Sequence, residues 1–479
     1  MMSLFPFIVS AYFLLLLGIS YLTAGRATND TFYRGERRSP WWAVAFGMLG
    51  ASLSGVTFVS VPGMVSTSAM TYLQMCFGFI FGYALVAFVL LPVYYRLRLT
   101  TIYSFLSERF GVRSHQTGAA FFFLSKMTGA AVRLYLVCLI LQRMVFDAFG
   151  FPFGVSVVLF LTLIRLYTRR GGIGTLVWTD CLQTLVLLAA LVFIICSVLQ
   201  TEGWTVADAM KQIRQSPMSH VLCLDDWRSR QYFWKQFLSG VFIVVVMTGL
   251  DQDMMQKNLT CRTLRESQKN MLVNGLLYFP VNLLFLSLGV LMYLFAMNEG
   301  IVLPANGDEV LPFLCAGGYL GQWVLLCFTL GISAAAFSSA DSALTALTTS
   351  ACVDLLRRPD DERLRRRVHV LVTLILLLFI LMFRALNNTS VIDAVYLIAS
   401  YTYGPLLGLF GFGLFVKNRQ PREAWVPWIC LASPLLCYLL SLVSALSWNY
   451  HFGYELLLLN GLLTALGLAA VARPSHTVQ

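Results

Sequence analysis

Residues 41–64 have the sequence WWAVAFGMLGASLSGVTFVSVPGM, an apolar segment interrupted at its centre by Gly50-Ala-Ser-Leu-Ser-Gly55. About 20 consecutive apolar residues suffice to cross a bilayer as a helix. Gly and Ser at this density weaken a helix, and unwound backbone at membrane depth occurs only where it lines protein or a cavity. Positions spaced i, i+3, i+4 and i+7 share one helix face, and here they are Gly50, Leu53, Ser54 and Thr57. The segment predicts either a broken helix whose free carbonyl groups bind a cation, or a small-residue face on which helices pack closely.

The rest of the 479-residue chain is similarly apolar, with 58% hydrophobic and 12% charged residues. Soluble domains carry about 25% charged residues, and their cores stop growing at about 250–300 residues. The composition therefore predicts an all-α membrane protein that forms one polytopic domain, 1–479. Thirteen spans are predicted, at 4–24, 41–64, 72–95, 117–146, 151–167, 173–199, 232–255, 271–297, 319–353, 368–386, 392–416, 424–447 and 452–472.

The formal net charge of +11 is distributed as membrane topology requires, which argues against a nucleic-acid partner. Lys and Arg concentrate in alternate loops, and the positive-inside rule assigns those loops to the cytoplasm. The N-terminus is then expected outside and the C-terminus inside, with the long loop 200–231 external. The loop cations are Arg26, Arg34, Arg37, Arg38, Arg98, Arg109, Arg113, Arg169, Arg170, Lys257, Arg262, Arg265, Lys269, the run from Arg357 to Arg367, Lys417, Arg419 and Arg422.

The ninth predicted span contains a second polar face. Its members, spaced i, i+3, i+4 and i+7, are Ala335, Ser338, Ser339 and Ser342, and Asp341 lies among them. Hydroxyl and carboxylate oxygens suit a hard cation. A polar seam between helices is the alternative.

Ionisable residues inside spans are costly and are functional candidates. Asp180 shares a helix face with Gln183, at a depth where an ion path or a snorkelling carboxylate is expected. Arg133 lies too deep to snorkel, so it must pair with a carboxylate of a substrate or of the protein, such as Asp393. Lys126, two turns nearer the cytoplasm, is expected to reach water. Asp251 and Asp253 are further candidates.

In this order along the chain, several motifs resemble the sodium:solute symporter family over residues 3–417. They are Ser39-Pro-Trp-Trp-Ala43, Gly171-Gly-Ile173, Trp178-Thr-Asp180 with Gln183, Gly249-Leu-Asp-Gln252 with Gln256, Ala334-Ala-Ala-Phe-Ser-Ser-Ala-Asp-Ser-Ala343 and Tyr403-Gly-Pro-Leu-Leu-Gly-Leu-Phe410. The resemblance implies a leucine-transporter-type fold with two inverted five-helix repeats, 41–199 and 232–417, each beginning with a broken helix. An extra N-terminal helix and loop, 3–40, and two C-terminal helices, 424–472, flank the repeats.

The same resemblance implies where ions bind. The family's conserved sodium site corresponds to the carbonyl groups of Gly50, Leu53 and Ala335 and the hydroxyls of Ser338 and Ser339. A second sodium, present in some members, corresponds to Asp180, Ser338, Asp341 and Ser342. Asp341 stands where two-sodium members have Ser, so the extra carboxylate either tightens this site or binds a proton.

For the solute, the sialic acid branch of the family matches best. Its carboxylate-binding positions correspond to Ser52, Ser54, Thr57 and Arg133, with Tyr72 and Gln74 as further pocket members. The expected function is sodium-coupled import of a small organic solute, such as a carboxylated sugar, by a protein that is not an enzyme. The alternatives are a proton-coupled carrier, a symporter of neutral sugars or amino acids, and a transporter-like solute sensor. The expected partners are the solute, Na+ and the lipid bilayer, for a monomer in a bacterial inner membrane.

Overall fold

The computed structural model describes residues 4–23, 32–33, 35, 39–97, 99, 101–386, 391–448 and 450–474. Among the predicted loop cations, Arg26, Arg34, Arg37, Arg38 and Arg98 lie outside the described residues, as does residue 24 at the end of the first predicted span. The described chain is all-α except for one short antiparallel pair of strands, β1 (Arg419–Pro421) and β2 (Ala472–Pro474).

The helices fall into two groups separated by the loop 200–231. Those that precede or begin this loop are α1 (Leu4–Thr23), α2 (Trp41–Ser52), α3 (Gly55–Gly63), α4 (Val65–Ser68), α5 (Tyr72–Leu85), α6 (Leu91–Arg96), α7 (Ser104–Arg109), α8 (Val112–Leu141), α9 (Phe153–Glu202) and α10 (Val206–Gln215). Those that follow are α11 (Phe233–Val244), α12 (Gln252–Asn258), α13 (Leu264–Asn298), α14 (Gly307–Ala316), α15 (Gln322–Ser350), α16 (Glu362–Leu386), α17 (Val391–Thr402), α18 (Gly404–Phe415), α19 (Val426–Trp448) and α20 (Leu456–Val471). Short π-helical turns continue α5, α8, α11 and α15.

Within the described residues, seven helices are long and apolar enough to cross a membrane. Three bent helix pairs bring this number to ten, and three shorter apolar helices lie at Ser10–Thr23, Phe153–Thr168 and Leu456–Val471. Every predicted span overlaps one of these elements. The short helix Phe153–Thr168 is separated from the long span Gly172–Glu202 by a kink at Gly172, whose φ of 51° suits a residue without a side chain.

The helix predicted to be broken at its centre is α2 followed by α3, which meet at an angle of 56°. Leu53 and Ser54 are non-helical, with ψ angles of 84° and 170°. The corresponding pair in the second half, α11 with α12, bends by 70°. A third bend, 45° between α17 and α18, was not predicted, although Gly404-Pro405 lies at the break.

The close packing that small residues allow is also present at the first break. A Cβ atom on Gly50 would lie 1.9 Å from Thr184 Oγ1, so α2 and α9 approach too closely for any side chain there. Helix α9 packs against both α2 and α15, and α15 packs against α8. The two polar faces found in the sequence therefore meet at the centre of the bundle.

The loop 200–231 is a folded segment. Helix α10 starts with a capping box in which Thr205 and Asp208 exchange hydrogen bonds, and these bonds hold the pKa of Asp208 below its usual value. Beyond this helix the loop is attached to the helical bundle, where the N–H of Met70 donates to the carbonyl of His220 over 3.0 Å.

Candidate functional site

The break between α2 and α3 leaves oxygen atoms free to act as ligands. In the described chain, no backbone N–H donates to the carbonyl groups of Gly50, Ala51 or Leu53, because the helical hydrogen-bond ladder stops there. The hydroxyl of Ser339, on α15, lies 3.5 Å from the carbonyl oxygen of Ala51. Backbone carbonyls and a neighbouring hydroxyl are hard oxygen donors, so the residues fit a sodium ion.

The neighbouring residue on α15, Ser338, contacts the other candidate ion ligand. Its hydroxyl donates to Asp180 Oδ1 over 2.6 Å. The amide of Gln183, oriented to donate, lies 3.2 Å from the same oxygen, consistent with the face shared by the two residues. Asp180 has no exposed surface, so it does not snorkel to water.

The second oxygen of Asp180 lies 2.7 Å from Nζ of Lys257. This is an ion-pair distance, although the two groups are not oriented as in a regular hydrogen bond. The assignment of Lys257 to a cytoplasmic loop was wrong: α12 extends to Asn258, and the side chain of Lys257 is only 1% exposed. Its spacing of four residues from Asp253 on a helix was the available sequence signal.

Asp341 is buried beside this pair. Its carboxylate accepts hydrogen bonds from Tyr167 over 2.7 Å and from Ser342 over 3.1 Å. Asp180, Ser338, Asp341 and Ser342, the residues predicted to hold a second ion, are therefore neighbours, with Lys257 among them.

A second buried charge cluster lies next to the first. Lys126 Nζ is 2.6 Å from Asp253 Oδ2 and 3.2 Å from Asp251 Oδ2. The expectation that Lys126 reaches water was wrong, because these two carboxylates hold it in the interior. Asp251 also caps α12 through the N–H of Asp253 and accepts a 2.6 Å hydrogen bond from Tyr403, at the bend between α17 and α18.

A cavity of about 90 Å³ adjoins these clusters. Its polar lining includes Ser52, Lys126, Arg133, Ser339 and Tyr396. Small-molecule sites usually measure about 300 Å³ or more, so the surrounding helices must separate before a solute as large as a sugar can bind.

Of the six residues predicted to contact the substrate, only some line the cavity. Ser52 and Arg133 line the cavity. Ser54 and Thr57 are buried at the start of α3 and do not line it. Tyr72 does not line the cavity itself but contacts a residue that does, since its hydroxyl lies 2.9 Å from that of Tyr396.

Gln74 lies away from the cavity. Its amide nitrogen donates to the carbonyl groups of Thr71 and Gln231, and its oxygen accepts from the N–H of Cys223 over 3.0 Å. The side chain thus anchors the loop 200–231 to the start of α5.

Arg133 forms no ion pair with a carboxylate of the described residues. The protein carboxylate suggested as its partner, Asp393, instead accepts a hydrogen bond from Tyr454. The guanidinium therefore faces the cavity without a carboxylate partner in the described chain. Two further cavity residues, Tyr396 and Tyr403, were not predicted to line it. Nothing in the local sequence distinguishes Tyr396 from other tyrosines in apolar helices, and Tyr403 was noted only as the first residue of a family motif.

The chain is similar to known proteins over most of its length. The family model described as "Sodium:solute symporter family" matches residues 32–427. The sodium/sialic acid symporter SiaT of Proteus mirabilis (strain HI4320) is 25% identical over 435 residues, covering 86% of this chain and 84% of that protein. The sodium/sialic acid symporter NanT of Aliivibrio fischeri (strain ATCC 700601 / ES114) is 24% identical over 416 residues, covering 84% and 81%.

A solved structure has the same fold over nearly the whole chain. It is the substrate-bound outward-open state of a Na+-coupled sialic acid symporter, with a TM-score of 0.84 and 21% identity, covering 98% of this chain and 99% of that one. The family model covers most of the chain, and the fold is that of a solved symporter. The chain belongs to the sodium:solute symporter family.

Proposed function

We propose that this chain is a sodium-coupled symporter that imports a carboxylated sugar of the sialic acid type. The observation that carries the proposal is Arg133, a guanidinium that lines the central cavity without a carboxylate partner in the described chain. A guanidinium that lines a cavity is a suitable partner for an anionic solute. Arg is suited to a carboxylate because its planar group donates two parallel hydrogen bonds. The two sodium/sialic acid symporters among the relatives support this choice of solute.

The coupling ion is proposed to bind at the break between α2 and α3. Its ligands would be the carbonyl groups of Gly50, Leu53 and Ala335 and the hydroxyls of Ser338 and Ser339. The free carbonyls at the break and the 3.5 Å approach of Ser339 to Ala51 support this set. The ion would hold α15 against the broken helix.

The solute site would lie on the other side of the same break. Ser52, at the end of α2, lines the cavity, and so does Ser339 on α15. Movement of α2 against α15 would therefore change the shape of the cavity, and sodium binding would favour the shape that accepts the solute. Each sodium ion that enters down a potential of 100 mV contributes about 2.3 kcal/mol to transport.

The topology we propose has thirteen crossings, with the N-terminus outside and the C-terminus in the cytoplasm of a bacterial inner membrane. Two sets of five spans, within 41–199 and 232–417, would form inverted repeats. In support, each set begins with a bent pair, α2 with α3 and α11 with α12. Helix α1 and the pair α19 and α20 would be additions to a core that transports as a monomer.

The direct test is uptake of radiolabelled sialic acid into proteoliposomes. We expect accumulation with an inward sodium gradient and none with choline at equal ionic strength. Accumulation driven equally well by a proton gradient in the absence of sodium would favour the proton-coupled alternative. Binding of the sugar with no uptake would favour a sensor.

A further inference from the structure

A buried ammonium group lies where a second sodium ion would be expected. Lys257 Nζ is 2.7 Å from Asp180 Oδ2 and 3.9 Å from Asp253 Oδ1. Its side chain is 1% exposed, and it is among the largest fully buried side chains of the described chain. Asp180 is the carboxylate on which a second sodium site in this chain would depend.

We propose that the ammonium of Lys257 is the resident cation of this position, so that the protein binds one sodium ion rather than two. The inference rests on the proposed function, because it concerns the number of ions that the same symporter couples to its solute. It predicts that sodium binds only at the break between α2 and α3.

Both oxygens of Asp180 are already occupied. Oδ1 accepts the hydrogen bond from Ser338, and Oδ2 faces Lys257. A sodium ion bound to the same carboxylate would lie about 4 Å from a fixed positive charge. At the effective dielectric of a protein, repulsion at that distance weakens binding by about a thousandfold.

Asp341 provides the strongest argument for the opposite outcome, since an extra carboxylate attracts cations. Its two oxygens, however, accept hydrogen bonds from Tyr167 and Ser342. It also lies within electrostatic range of Lys257, so the one ammonium serves both carboxylates. The extra acid and the buried base therefore compensate each other.

The test is to count sodium ions by equilibrium dialysis of the purified full-length protein against ²²Na+ in choline chloride. We expect one ion per chain at saturation. Two ions per chain would overturn the inference and leave sodium coupling intact. No bound sodium would instead contradict the proposed function itself.

Two variants locate the effect at the ammonium group. Lys257→Gln removes the charge and is expected to raise the count to two ions, whereas Lys257→Arg keeps the charge and is expected to retain one. A count of one in a folded Lys257→Gln protein would show that the ammonium is not what excludes the second ion. The count for the unmodified protein decides the proposal if Lys257→Gln does not fold.

Discussion

Ser338 donates a 2.6 Å hydrogen bond to Asp180 across the interface between α15 and α9, and neither side chain is exposed. Ser338 is also adjacent in sequence to Ser339, whose hydroxyl faces the broken end of α2. One turn of α15 therefore connects the free carbonyl groups at the break with the buried pair Asp180–Lys257. Because Ser339 also lines the cavity, the candidate ion site and the cavity share this turn of α15.

Removal of the free guanidinium should weaken binding of a carboxylated solute. We expect Arg133→Ala to lower the affinity for sialic acid by at least about thirtyfold, since truncating one partner of a buried charge pair costs about 2–5 kcal/mol. The methyl ester of sialic acid has no charge on its carboxyl group, so Arg133→Ala should lower the affinity for the ester much less. Isothermal titration of the two ligands measures the difference.

Arg143→Ala is the matched control. This arginine follows Arg133 on the continuation of α8 and pairs with Glu309 over 2.8 Å, but both side chains are substantially exposed. Exposed pairs contribute about 0–1 kcal/mol, so affinity should barely change. Equal losses of acid and ester in Arg133→Ala would contradict recognition of a carboxylate.

The buried cation of the second cluster should be necessary for stability. Lys126→Met leaves Asp251 and Asp253 without their shared ammonium, and breaking a buried ion pair costs about 3–5 kcal/mol. We expect a clear fall in the thermal unfolding midpoint in detergent. The double variant Lys126→Met/Asp253→Asn should recover part of the lost stability, because it removes one of the two carboxylate charges left unpaired.

Lys211→Met is the control for this series, because Lys211 is exposed on α10 in the loop 200–231. Its midpoint should match that of the unmodified protein. If Lys126→Met were also unchanged, the lysine would have to reach water in solution.

The close approach of α2 and α9 should exclude even a methyl group at Gly50. Gly50→Ala places a Cβ atom 1.9 Å from Thr184 Oγ1, and overpacking of this kind costs about 1–3 kcal/mol. Gly411→Ala meets nothing within 4 Å and lies in α18, where Ala gains up to about 1 kcal/mol over Gly. We therefore expect the thermal unfolding midpoint to fall in Gly50→Ala and to rise slightly in Gly411→Ala. A higher midpoint in Gly50→Ala would contradict the close packing of α2 against α9.

The bend between α17 and α18 depends on a side chain from the C-terminal helix. Asn460 Nδ2 donates to the carbonyl groups of Ser400 and Tyr401, which the bend releases from the helical ladder. Asn460→Leu removes the donor, and we expect a loss of about 1–3 kcal/mol because buried acceptors are left unpaired. Thr464→Val, which removes a hydroxyl bonded within its own helix, should cost less. Equal losses in unfolding experiments would argue against this role of Asn460.

The sequence predicted the helices and the central break well, because both depend on local composition. The run Gly50–Gly55 weakens a helix wherever it occurs, and its position matched the observed bend. Lys257 was misplaced because its span was ended at residue 255, which put it among the loop cations. The pairing of Lys126 with Asp251 joins residues 125 positions apart, and no local pattern specifies such a contact. The contacts of Gln74 with Gln231 and Cys223 are similarly distant in sequence, so no local pattern specifies them either.

The central claim is that sodium binds between the broken helix and α15, and its most direct test is thermal unfolding of purified protein in sodium against choline at equal ionic strength. A ligand that binds only the folded state stabilises it by about 2.7 kcal/mol at a hundred times its Kd. The account predicts a higher midpoint in sodium that is lost in Ser339→Ala and kept in Ser333→Ala, a change elsewhere on α15. Equal midpoints in the two salts, or an unchanged sodium response in Ser339→Ala, would contradict it.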